Sequence, residues 1–402
     1  MCARYIKCPL IFGINKAIEP LMHPFNVLVP VLAILSFGCH HQVKNEQAHT
    51  LQVADELVVA FQPDANRDSL FNDDGWRRLD NGRLCVKSFE GPIYDQQPTC
   101  QIQMTLRSAG DPWDKSGLVA VWPDAPEVRA SLARGDAPDV PALELLRFIT
   151  PFGVGHFSHE ERLDEYRPVY IPNWADSVRW TSDITAILPQ LEGTFHLGIF
   201  IDTWSDAGHT CCVQLDWLPT TAEVHPKKAD VAIPLLNTTK LFENQETYTG
   251  FAAGPVHTRF HLNEALEETR LFLTTTGHGG HHTGDEFTPC EHMIKLDTIE
   301  VGRFTPWRTD CASFRRFNPS SGVWTEKTFW RGDSIQERIA SSDYSRSGWC
   351  PGSDVPPRQF DIGQLDSGWH ELTIHIPTAQ PYREGEENFF NVAAHITGTP
   401  VH

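Results

Sequence analysis

The sequence lacks both an excess of basic residues and a long apolar segment. Its 402 residues include 52 acidic and 33 basic side chains, which gives a formal net charge of −19. Nucleic-acid binding needs a basic surface, so this balance argues against a nucleic-acid partner. The uncharged apolar run over residues 24–38 is too short for a confident membrane-spanning helix. We therefore expect neither a nucleic-acid-binding nor a membrane-spanning protein.

Paired cysteines at a metal-binding or redox spacing are also missing. None of the cysteines forms a C-x-x-C motif, so structural disulfides in an oxidising compartment are the expected use. Among the cysteines after Cys39, the candidate pairs are Cys85 with Cys100 and Cys311 with Cys350. These cysteines are odd in number, which leaves at least one thiol without a partner among them. The full connectivity does not follow from the sequence.

Residues 1–50 have the character of an export signal followed by a tether. The apolar run ends at Gly38 and Cys39, and polar residues follow directly. This arrangement resembles a bacterial lipoprotein signal, in which the cysteine is lipidated after cleavage. We therefore expect an exported protein that is periplasmic, anchored in the outer membrane through Cys39, or secreted. A lipid anchor is the only membrane attachment that we expect.

Signs of helix are scarce along the whole chain. No segment of useful length has a 3.6-residue period, and 29 prolines and 28 glycines interrupt the sequence. Short apolar or alternating runs such as Leu118–Trp122 and Arg270–Thr275 indicate strands instead. The polar, proline-bearing stretch 220–230 indicates a linker. We predict two all-β domains, residues 51–219 and 231–402, of the sandwich or jelly-roll type.

One stretch, Leu271–Asp297, joins a strand-like run to a glycine-rich break, where the backbone can take positive φ. It carries four histidines, which are His278, His281, His282 and His292. Asp285 and Glu286 follow the break. An irregular polar loop between strands is where a β-rich protein usually keeps its chemistry. From its composition the loop suits a metal site, an acid–base carboxylate at Glu286, or neither.

Two further acids have loop settings in the first predicted domain. Asp114 stands between Trp113 and Lys115, just before a strand, and Asp202 follows a strongly apolar strand. Taken alone, Asp114 is typical of an aspartate that caps a turn, and Asp202 of a strand that leaves the core. A third observation is needed to give these acids a function.

Five motifs in a fixed order supply that observation. They are Gly110–Asp114 (GDPWD), Arg147–Gly155 (RFITPFGVG), Asp202–Trp204 (DTW), Asp285–Ile294 (DEF and HMI) and Arg346–Gly352 (RSGWCPG). This series resembles the bacterial peptide-N-glycosidase F family, amidases that remove N-linked glycans from glycoproteins. The resemblance extends over residues 95–400, which is nearly all of both predicted domains.

The resemblance implies two adjacent eight-stranded antiparallel jelly rolls with a cleft along their interface. It implies that Asp114 is the primary catalytic group, that Glu286 works near the scissile amide, and that Asp202 binds the first N-acetylglucosamine. It further implies substrate contacts from Trp113, Lys115, Trp204, Phe287, Arg346 and Trp349. The expected reaction hydrolyses the Asn–GlcNAc amide of an N-glycosylated peptide or protein, giving aspartate and a glycosylamine. No metal or other cofactor is expected.

Some positions depart from the pattern of the family. Asp202 stands where the best-known member has glutamate, Lys115 where it has arginine, and Gly279 where a cleft tryptophan is expected. In the second-domain loop, Gly284 and Thr288 stand where the family pattern has cysteines. Asp202 is shorter than glutamate by a methylene group, and a misplacement of about an ångström can change a catalytic rate greatly. The departures therefore concern glycan specificity and rate.

Two other classes of function share these features. The loop histidines could ligate copper or zinc, since histidine is the commonest transition-metal ligand. Copper monooxygenases of the peptidylglycine-hydroxylating kind also have two jelly rolls, so the fold does not separate the classes. The histidines of the first domain lack a ligand spacing, and they are His156, His159, His196 and His209. The second alternative is a catalytically inactive glycan-binding protein of the cell surface.

Overall fold

The structure is a computed structural model. It describes residues 48–63, 75–94, 97–135, 138, 140–153, 173–220, 229–239, 250–280, 283–319, 321 and 323–401. The leader with Cys39 and most of the expected linker lie outside these residues. So do four of the histidines considered as metal ligands, His156, His159, His281 and His282. In the part of the chain that is described, no helix is both long and apolar enough to cross a membrane. Export and lipidation of Cys39 stay predictions.

Residues 48–220, here called the N-terminal half, form an antiparallel β-sandwich. Its strands are β1 (His49–Val59), β2 (Arg77–Leu79), β3 (Leu84–Gly91), β4 (Thr99–Ser108), β5 (Ser116–Pro123), β6 (Leu143–Ile149), β7 (Val178–Asp183), β8 (Gly193–Ile201) and β9 (His209–Leu218). They form a four-stranded sheet in the order β1-β9-β4-β7 and a five-stranded sheet in the order β2-β3-β8-β5-β6. Short 3-10 helices occupy Asp80–Gly82 and Thr185–Gln190, and helix α1 spans Pro126–Arg134.

The five-stranded sheet is buried on both faces. On its inner face, Val119 and Val121 belong to the core between the two sheets. On its outer face, Leu118 and Trp122 pack with Val128 of α1 in a second apolar cluster. Strands that are covered on both faces are continuous apolar runs rather than alternating ones. This explains the unbroken run at Leu118–Trp122, and the strand predicted there is confirmed.

Residues 229–401, here called the C-terminal half, form a second antiparallel sandwich. Its longer strands are β10 (Val231–Asn237), β11 (Val256–Leu262), β12 (Leu266–His278), β13 (His292–Leu296), β14 (Ile299–Phe304), β19 (Arg358–Leu365), β20 (Gly368–His375) and β21 (Phe389–Pro400). Two two-stranded sheets pair β15 (Trp307–Arg308) with β18 (Arg346–Ser347), and β16 (Val323–Trp330) with β17 (Asp333–Ala340). Helix α2 spans Gly250–Ala253, with 3-10 helices at Cys311–Phe317 and Ser341–Asp343.

The C-terminal sandwich consists of two four-stranded sheets, in the orders β10-β21-β12-β19 and β11-β20-β13-β14. One apolar core lies between them, and Leu271 of β12 and Ile294 of β13 contribute to it from opposite sheets. The predicted all-β fold of two adjacent antiparallel jelly rolls is therefore confirmed. The exact domain boundaries at residues 219 and 231 stay predictions.

Strand register determines which loops meet at one end of the N-terminal sandwich. Strands β5 and β8 are antiparallel, and Gly117 at the start of β5 faces Ile201 at the end of β8. The residue before Gly117, Ser116, also faces Ile149 at the end of β6. The loop before β5, which carries Asp114, and the loop after β8, which carries Asp202, therefore lie at the same end.

The two halves are joined by main-chain hydrogen bonds along β6. The Ile149 amide donates to the Ser353 carbonyl at 2.9 Å, and the Gly352 amide donates back to the Ile149 carbonyl at 3.1 Å. The Val355 amide donates to the Arg147 carbonyl at 2.8 Å. The segment after β18 thus extends the five-stranded sheet of the N-terminal half, and it anchors the chain that carries Arg346.

Cysteine pairing follows one of the two sequence predictions. A disulfide joins Cys311 to Cys350, which confirms that candidate pair. The pairing of Cys85 with Cys100 is wrong, because both are buried and neither forms a disulfide. Cys85 faces Ile199 near the end of β8, whereas Cys100 faces Trp217 near the end of β9. Since β9 runs back from the end of β8, these two thiols lie at opposite ends of the sandwich.

Replacing both Cys311 and Cys350 by serine is expected to lower the free energy of unfolding by about 2–5 kcal/mol, because the crosslink restricts the unfolded chain. Urea unfolding followed by tryptophan fluorescence measures this loss. Cys212→Ser is the matched control, since Cys212 is partly buried and forms no disulfide. Equal midpoints for the double variant and the control would show that the disulfide carries no stability.

Candidate active site

Arg346 is the centre of the site. It begins β18, and its side chain is only 1% exposed. The Nε atom donates to Glu286 Oε1 at 2.8 Å, while Nη2 lies 3.8 Å from Asp114 Oδ2. The Nη1 atom donates to the main-chain carbonyls of Ser341 at 2.7 Å and Tyr344 at 3.0 Å. One buried cation therefore faces an acid from each half of the protein.

Two aromatic rings hold the guanidinium of Arg346 in place. Its Cζ atom lies 5.1 Å from the Phe287 ring centroid and 4.9 Å from that of Trp349, within the range of a cation–π contact. The Trp349 indole Nε1 donates to the Gly277 carbonyl at 2.8 Å, which fixes the ring. Trp349 is 3% exposed. Trp349 thus supports the arginine, and its contact with substrate stays a prediction.

Burial controls the protonation of the two acids. The side chains of Asp114 and Glu286 are each 17% exposed. Burial raises the pKa of Glu286 to about 7; Arg346 opposes this shift and Asp114 adds to it. Burial also raises the pKa of Asp114, against the opposing charges of Arg346 and Lys115. Each acid therefore holds a proton to higher pH than an exposed carboxyl does, and the charge on one acid affects the titration of the other.

The loop that carries Glu286 is fastened by its neighbour, Asp285. The carboxylate of Asp285 is fully buried and accepts the Gln380 amide at 3.0 and 3.2 Å. Its own amide donates to Asn388 Oδ1 at 3.0 Å. Sequence reasoning assigned no role to Asp285, because its partners lie far along the chain. The main chain and the side chain of Asp285 are therefore both fixed, and they hold the loop in place directly before Glu286.

The structure explains why Gly279 cannot carry the tryptophan of the family pattern. Its φ is 82°, in the left-handed region that favours glycine, and a Cβ atom there would lie 2.0 Å from the Glu387 carbonyl oxygen. The Gly279 carbonyl also accepts the Glu286 amide at 3.3 Å. The segment around Glu387 therefore closes this side of the loop, where the family would have a side chain.

Asp111 ties the loop of Asp114 to the loop of Asp202. Its buried carboxylate accepts the Trp113 amide at 2.9 Å through Oδ1 and the Thr203 hydroxyl at 2.6 Å through Oδ2. Asp111 thus fills the turn-capping role that the sequence offered as the alternative for Asp114. The Asp-x-Trp spacing within GDPWD was the available signal for this cap.

Asp202 lies on a neighbouring patch with a cation of its own. Arg83 Nη1 donates to Asp202 Oδ1 at 2.8 Å, and the same guanidinium pairs with the buried carboxylate of Asp80 at 2.8 Å. The Arg83 Cζ atom lies 4.4 Å from the Trp204 ring centroid. The Asp202 amide donates to the Ser116 carbonyl at 2.9 Å, which keeps this patch beside the Asp114 loop. Sequence reasoning missed Arg83 and Asp80, since no motif marks them.

The residues beside the acids differ in exposure. Trp204 is 58% exposed and Trp113 is 39% exposed, so both indoles offer apolar surface next to carboxylates. The Lys115 amide donates to Thr150 Oγ1 at 2.8 Å, and the Thr150 amide donates to the Lys115 carbonyl at 2.8 Å. Trp113, Lys115, Asp202 and Trp204 thus belong to two loops at the same end of the N-terminal half, whereas Phe287 and Trp349 pack around Arg346.

The described histidines of the glycine-rich loop are engaged with the protein core. His292 Nδ1 lies 3.0 Å from the Cys290 carbonyl oxygen, and its Nε2 lies 3.0 Å from Thr275 Oγ1. His278 Nε2 lies 2.7 Å from Thr276 Oγ1. Both rings are buried, and burial lowers their pKa, to about 4 for His292 and about 3 for His278. They act here as neutral hydrogen-bonding groups beneath the loop.

Within the described ranges, a single group of three potential metal ligands lies within mutual reach. It consists of Asp55, Glu56 and Cys212, on the surface of the N-terminal half, and it contains no histidine. Glu56 is already paired with Arg107. This group is separate from the acids around Arg346.

Comparisons with known proteins agree with this geometry. The family model described as Peptide-N-glycosidase F, N terminal, matches residues 50–217, and the one described as Peptide-N-glycosidase F, C terminal, matches residues 247–397. Together they cover most of the chain. No curated protein matches the sequence.

Two solved structures are similar to most of the chain. PNGF-II is 32% identical with a TM-score of 0.74, covering 88% of this chain and 66% of its own. PNGase F, titled a glycosylasparaginase from Flavobacterium meningosepticum, is 18% identical with a TM-score of 0.56, covering 89% of this chain and 98% of its own. The chain thus spans just under two thirds of PNGF-II. The likeness to PNGase F shows a common fold.

Two adjacent antiparallel jelly rolls with acids at their junction define the class of the protein. The chain belongs to the peptide-N-glycosidase F family.

Glu286→Gln is expected to change how stability depends on pH. Because the pKa of Glu286 is raised from 4.5 to about 7, this group favours folding below pH 4.5, and the benefit is lost as the pH rises through 7. The variant has no carboxyl at position 286 and does not lose this stability. Its melting temperature minus that of the wild type should therefore increase as the pH is raised from 4.5 to 7. Circular dichroism melts across this range measure the difference.

Glu300→Gln provides the control for this experiment. Arg303 lowers the pKa of the Glu300 carboxyl, so that acid is ionised in both the folded and the unfolded chain between pH 4.5 and 7, and the melting-temperature difference of Glu300→Gln from wild type should stay constant across this range. A Glu286→Gln difference that stays constant with pH would contradict the raised pKa.

Proposed function

We propose that the protein is a glycoamidase that hydrolyses the amide between asparagine and N-acetylglucosamine in N-glycosylated peptides or proteins. The observation that carries the proposal is the meeting of Asp114 and Glu286 at Arg346. Membership of the family supports it, as does the name of a related protein of known structure, peptide-N(4)-(N-acetyl-β-D-glucosaminyl)asparagine amidase. Aspartate in the peptide and a free glycosylamine are the products.

The acid pair suits amide hydrolysis because it shares a proton. An amide is a poor electrophile, so the reaction needs an activated water, a stabilised oxyanion and a proton for the leaving nitrogen. The ionised acid takes a proton from water as the oxygen attacks the amide carbon. The carbon–nitrogen bond then breaks, and the protonated acid gives its proton to the glycosylamine nitrogen. Asp114 is the principal acid–base group in this scheme, with Glu286 acting through the water.

Arg346 can stabilise the oxyanion of the tetrahedral intermediate. Four of its N–H groups have acceptors in Glu286, the Ser341 and Tyr344 carbonyls, and the Ser341 hydroxyl. The second N–H of Nη2 faces Asp114 at 3.8 Å, which is too long for a direct hydrogen bond. This N–H is placed to donate to the substrate carbonyl oxygen, where charge develops during the reaction.

The patch of Asp202 and Trp204 is proposed to bind the first sugar. Arg83 holds the Asp202 side chain in place. That side chain is 43% exposed, so its carboxylate can accept hydrogen bonds from sugar hydroxyls. The exposed ring of Trp204 offers an apolar surface on which the sugar ring can stack. The bond to Arg83 also gives the shorter aspartate a defined position where the family has glutamate.

The decisive test is incubation of the purified protein with a glycopeptide in ¹⁸O-labelled water. Released glycan, together with conversion of the asparagine to aspartate bearing one labelled oxygen, would establish the amidase by mass spectrometry. Asp114→Asn should lose about 10²–10⁴-fold in rate, the usual contribution of a general acid–base group. Full activity of that variant would contradict the assignment. Glycan binding without release would instead favour the inactive glycan-binding protein.

Trp204→Ala should raise KM for the glycopeptide about 2–10-fold, with a smaller effect on kcat, since it removes a stacking surface away from the scissile amide. Steady-state kinetics separate the two parameters. Trp369→Ala is the control, because Trp369 is an exposed tryptophan of β20 in the C-terminal half. An unchanged KM for Trp204→Ala, or an equal change in the control, would argue against the sugar patch.

A further inference from the structure

Arg147 is a fully engaged cation at the junction of the two halves. Its side chain is 1% exposed, and all five of its N–H groups have acceptors. Nε and Nη2 donate to the two carboxylate oxygens of Glu144, which is also in β6. The other donors reach the C-terminal half: Thr239 Oγ1 at 2.9 Å, the Asn391 carbonyl at 2.9 Å and Thr276 Oγ1 at 3.4 Å.

Glu144, the partner of Arg147, also reaches across the junction. Its Oε1 atom accepts the side-chain amide of Asn237 at 3.0 Å, and Asn237 lies at the end of β10. The same amide donates to the Ala142 carbonyl at 3.1 Å. The buried ion pair therefore joins β6 to three segments of the other sandwich, at Asn237 of β10, Thr276 of β12 and Asn391 of β21.

On the N-terminal side, Arg147 lies close to the origin of the Asp114 loop. In the register of β5 with β6, Arg147 faces Leu118, and β5 begins at Ser116. The chain after β6 continues to Thr150, whose main chain and hydroxyl bind Lys115, the residue after Asp114. A displacement of Arg147 would therefore be passed to the Asp114 loop through a short, hydrogen-bonded stretch.

On the C-terminal side, Arg147 binds the pair of strands from which the Glu286 loop starts. Thr276 of β12 faces Asn391 of β21, and Arg147 bonds to both. The Thr276 hydroxyl also bonds to His278, the last residue of β12. The His278 ring stacks on Trp349 at 5.5 Å between centroids, and Trp349 supports the guanidinium of Arg346.

We propose that Arg147 is a positioning residue that sets the placement of Glu286 relative to Asp114 by clamping β6 to β12 and β21. This proposal rests on the proposed function, because it concerns the geometry of the same acid pair. The two acids come from different sandwiches, so neither sandwich alone can fix their separation. Arg147 acts through other residues and does not touch the reacting atoms.

Lysine cannot replace Arg147 in this role. An ammonium has three donors and no planar fork, whereas the guanidinium satisfies both oxygens of Glu144 and three acceptors of the other half. Arg147→Lys keeps the charge and loses the clamp. Arg147→Met with Glu144→Leu removes both charges, so no unpaired ion remains buried, and such a replacement is often neutral for stability.

The experiment compares Arg147→Lys and the Glu144→Leu, Arg147→Met double variant with wild type. The sugar patch lies wholly in the N-terminal half, so KM should change little while kcat falls about 100-fold, the cost of a displacement of about 1 Å. Gln190→Ala is the control. It removes another cross-junction hydrogen bond, from Gln190 Nε2 to the Ala232 carbonyl at 2.7 Å, and it should leave kcat and KM unchanged.

A second readout does not depend on turnover. Glu286 faces Asp114 and Arg346, with Lys115 beside Asp114, and its pKa is raised partly by burial and by Asp114. If the clamp is lost, Asp114 moves away and water enters, so the carbon-13 NMR titration of the Glu286 carboxyl should shift to lower pH. The Gln190→Ala control should titrate like wild type.

The outcomes separate the two proposals. A stable double variant with wild-type kcat and an unshifted Glu286 titration would overturn the positioning role of Arg147. A fall in kcat that matches the fraction unfolded in melts would overturn it as well. If wild type releases no glycan, the proposed function fails, and a shifted Glu286 titration in the variants still supports the clamp.

Discussion

The structure depends on one buried cation that serves two acids. Arg346 is almost fully enclosed, and a buried charge is tolerable only when it is paired and hydrogen-bonded. Its partners are Glu286, the more distant Asp114, and the polar groups of the segment 341–344. Burial raises the pKa of both acids, so each holds a proton to higher pH than an exposed carboxyl does. The proposed acid–base chemistry uses this property of the pair.

This arrangement requires that two separate sandwiches meet with fixed geometry. The main chain meets part of this need, since residues 352–355 bond to β6 and continue its sheet. The ion pair of Arg147 and Glu144 meets another part from inside the junction. The disulfide between Cys311 and Cys350 restrains the chain that leads away from Arg346. The packing of the two sandwiches therefore sets the separation of Asp114 and Glu286.

Much of the fold follows from sequence patterns. The apolar run at Leu118–Trp122 predicts a strand because a sheet covered on both faces must be apolar on both, and α1 supplies the second cover. The acids Asp114 and Glu286 could be chosen because specific strings flank them. Arg346, which faces both acids, was also among the residues that the resemblance named, but the groups that fix the loops of those acids could not be chosen. Asp285 binds Gln380, and this pairing depends on the path of a distant loop.

Other misses have the same physical origin. Arg83 and Asp80 stand in no motif, yet they position Asp202, because strand register brings the start of β3 beside the end of β8. The predicted pairing of Cys85 with Cys100 failed for the same reason. The two cysteines are close in sequence, but strand register places them at opposite ends of the sandwich. The histidines drew attention by their number, although those described, His278 and His292, are buried core groups.

The proposed function requires that acids from both halves act on one amide beside Arg346. A crystal structure of the Asp114→Asn protein with an intact glycopeptide tests it most directly. The account predicts the asparagine–sugar amide between residues 114 and 286, with its carbonyl oxygen at hydrogen-bonding distance from Arg346 Nη2 and the first sugar against Trp204. Glycopeptide bound with its amide outside hydrogen-bonding reach of Arg346 would contradict it.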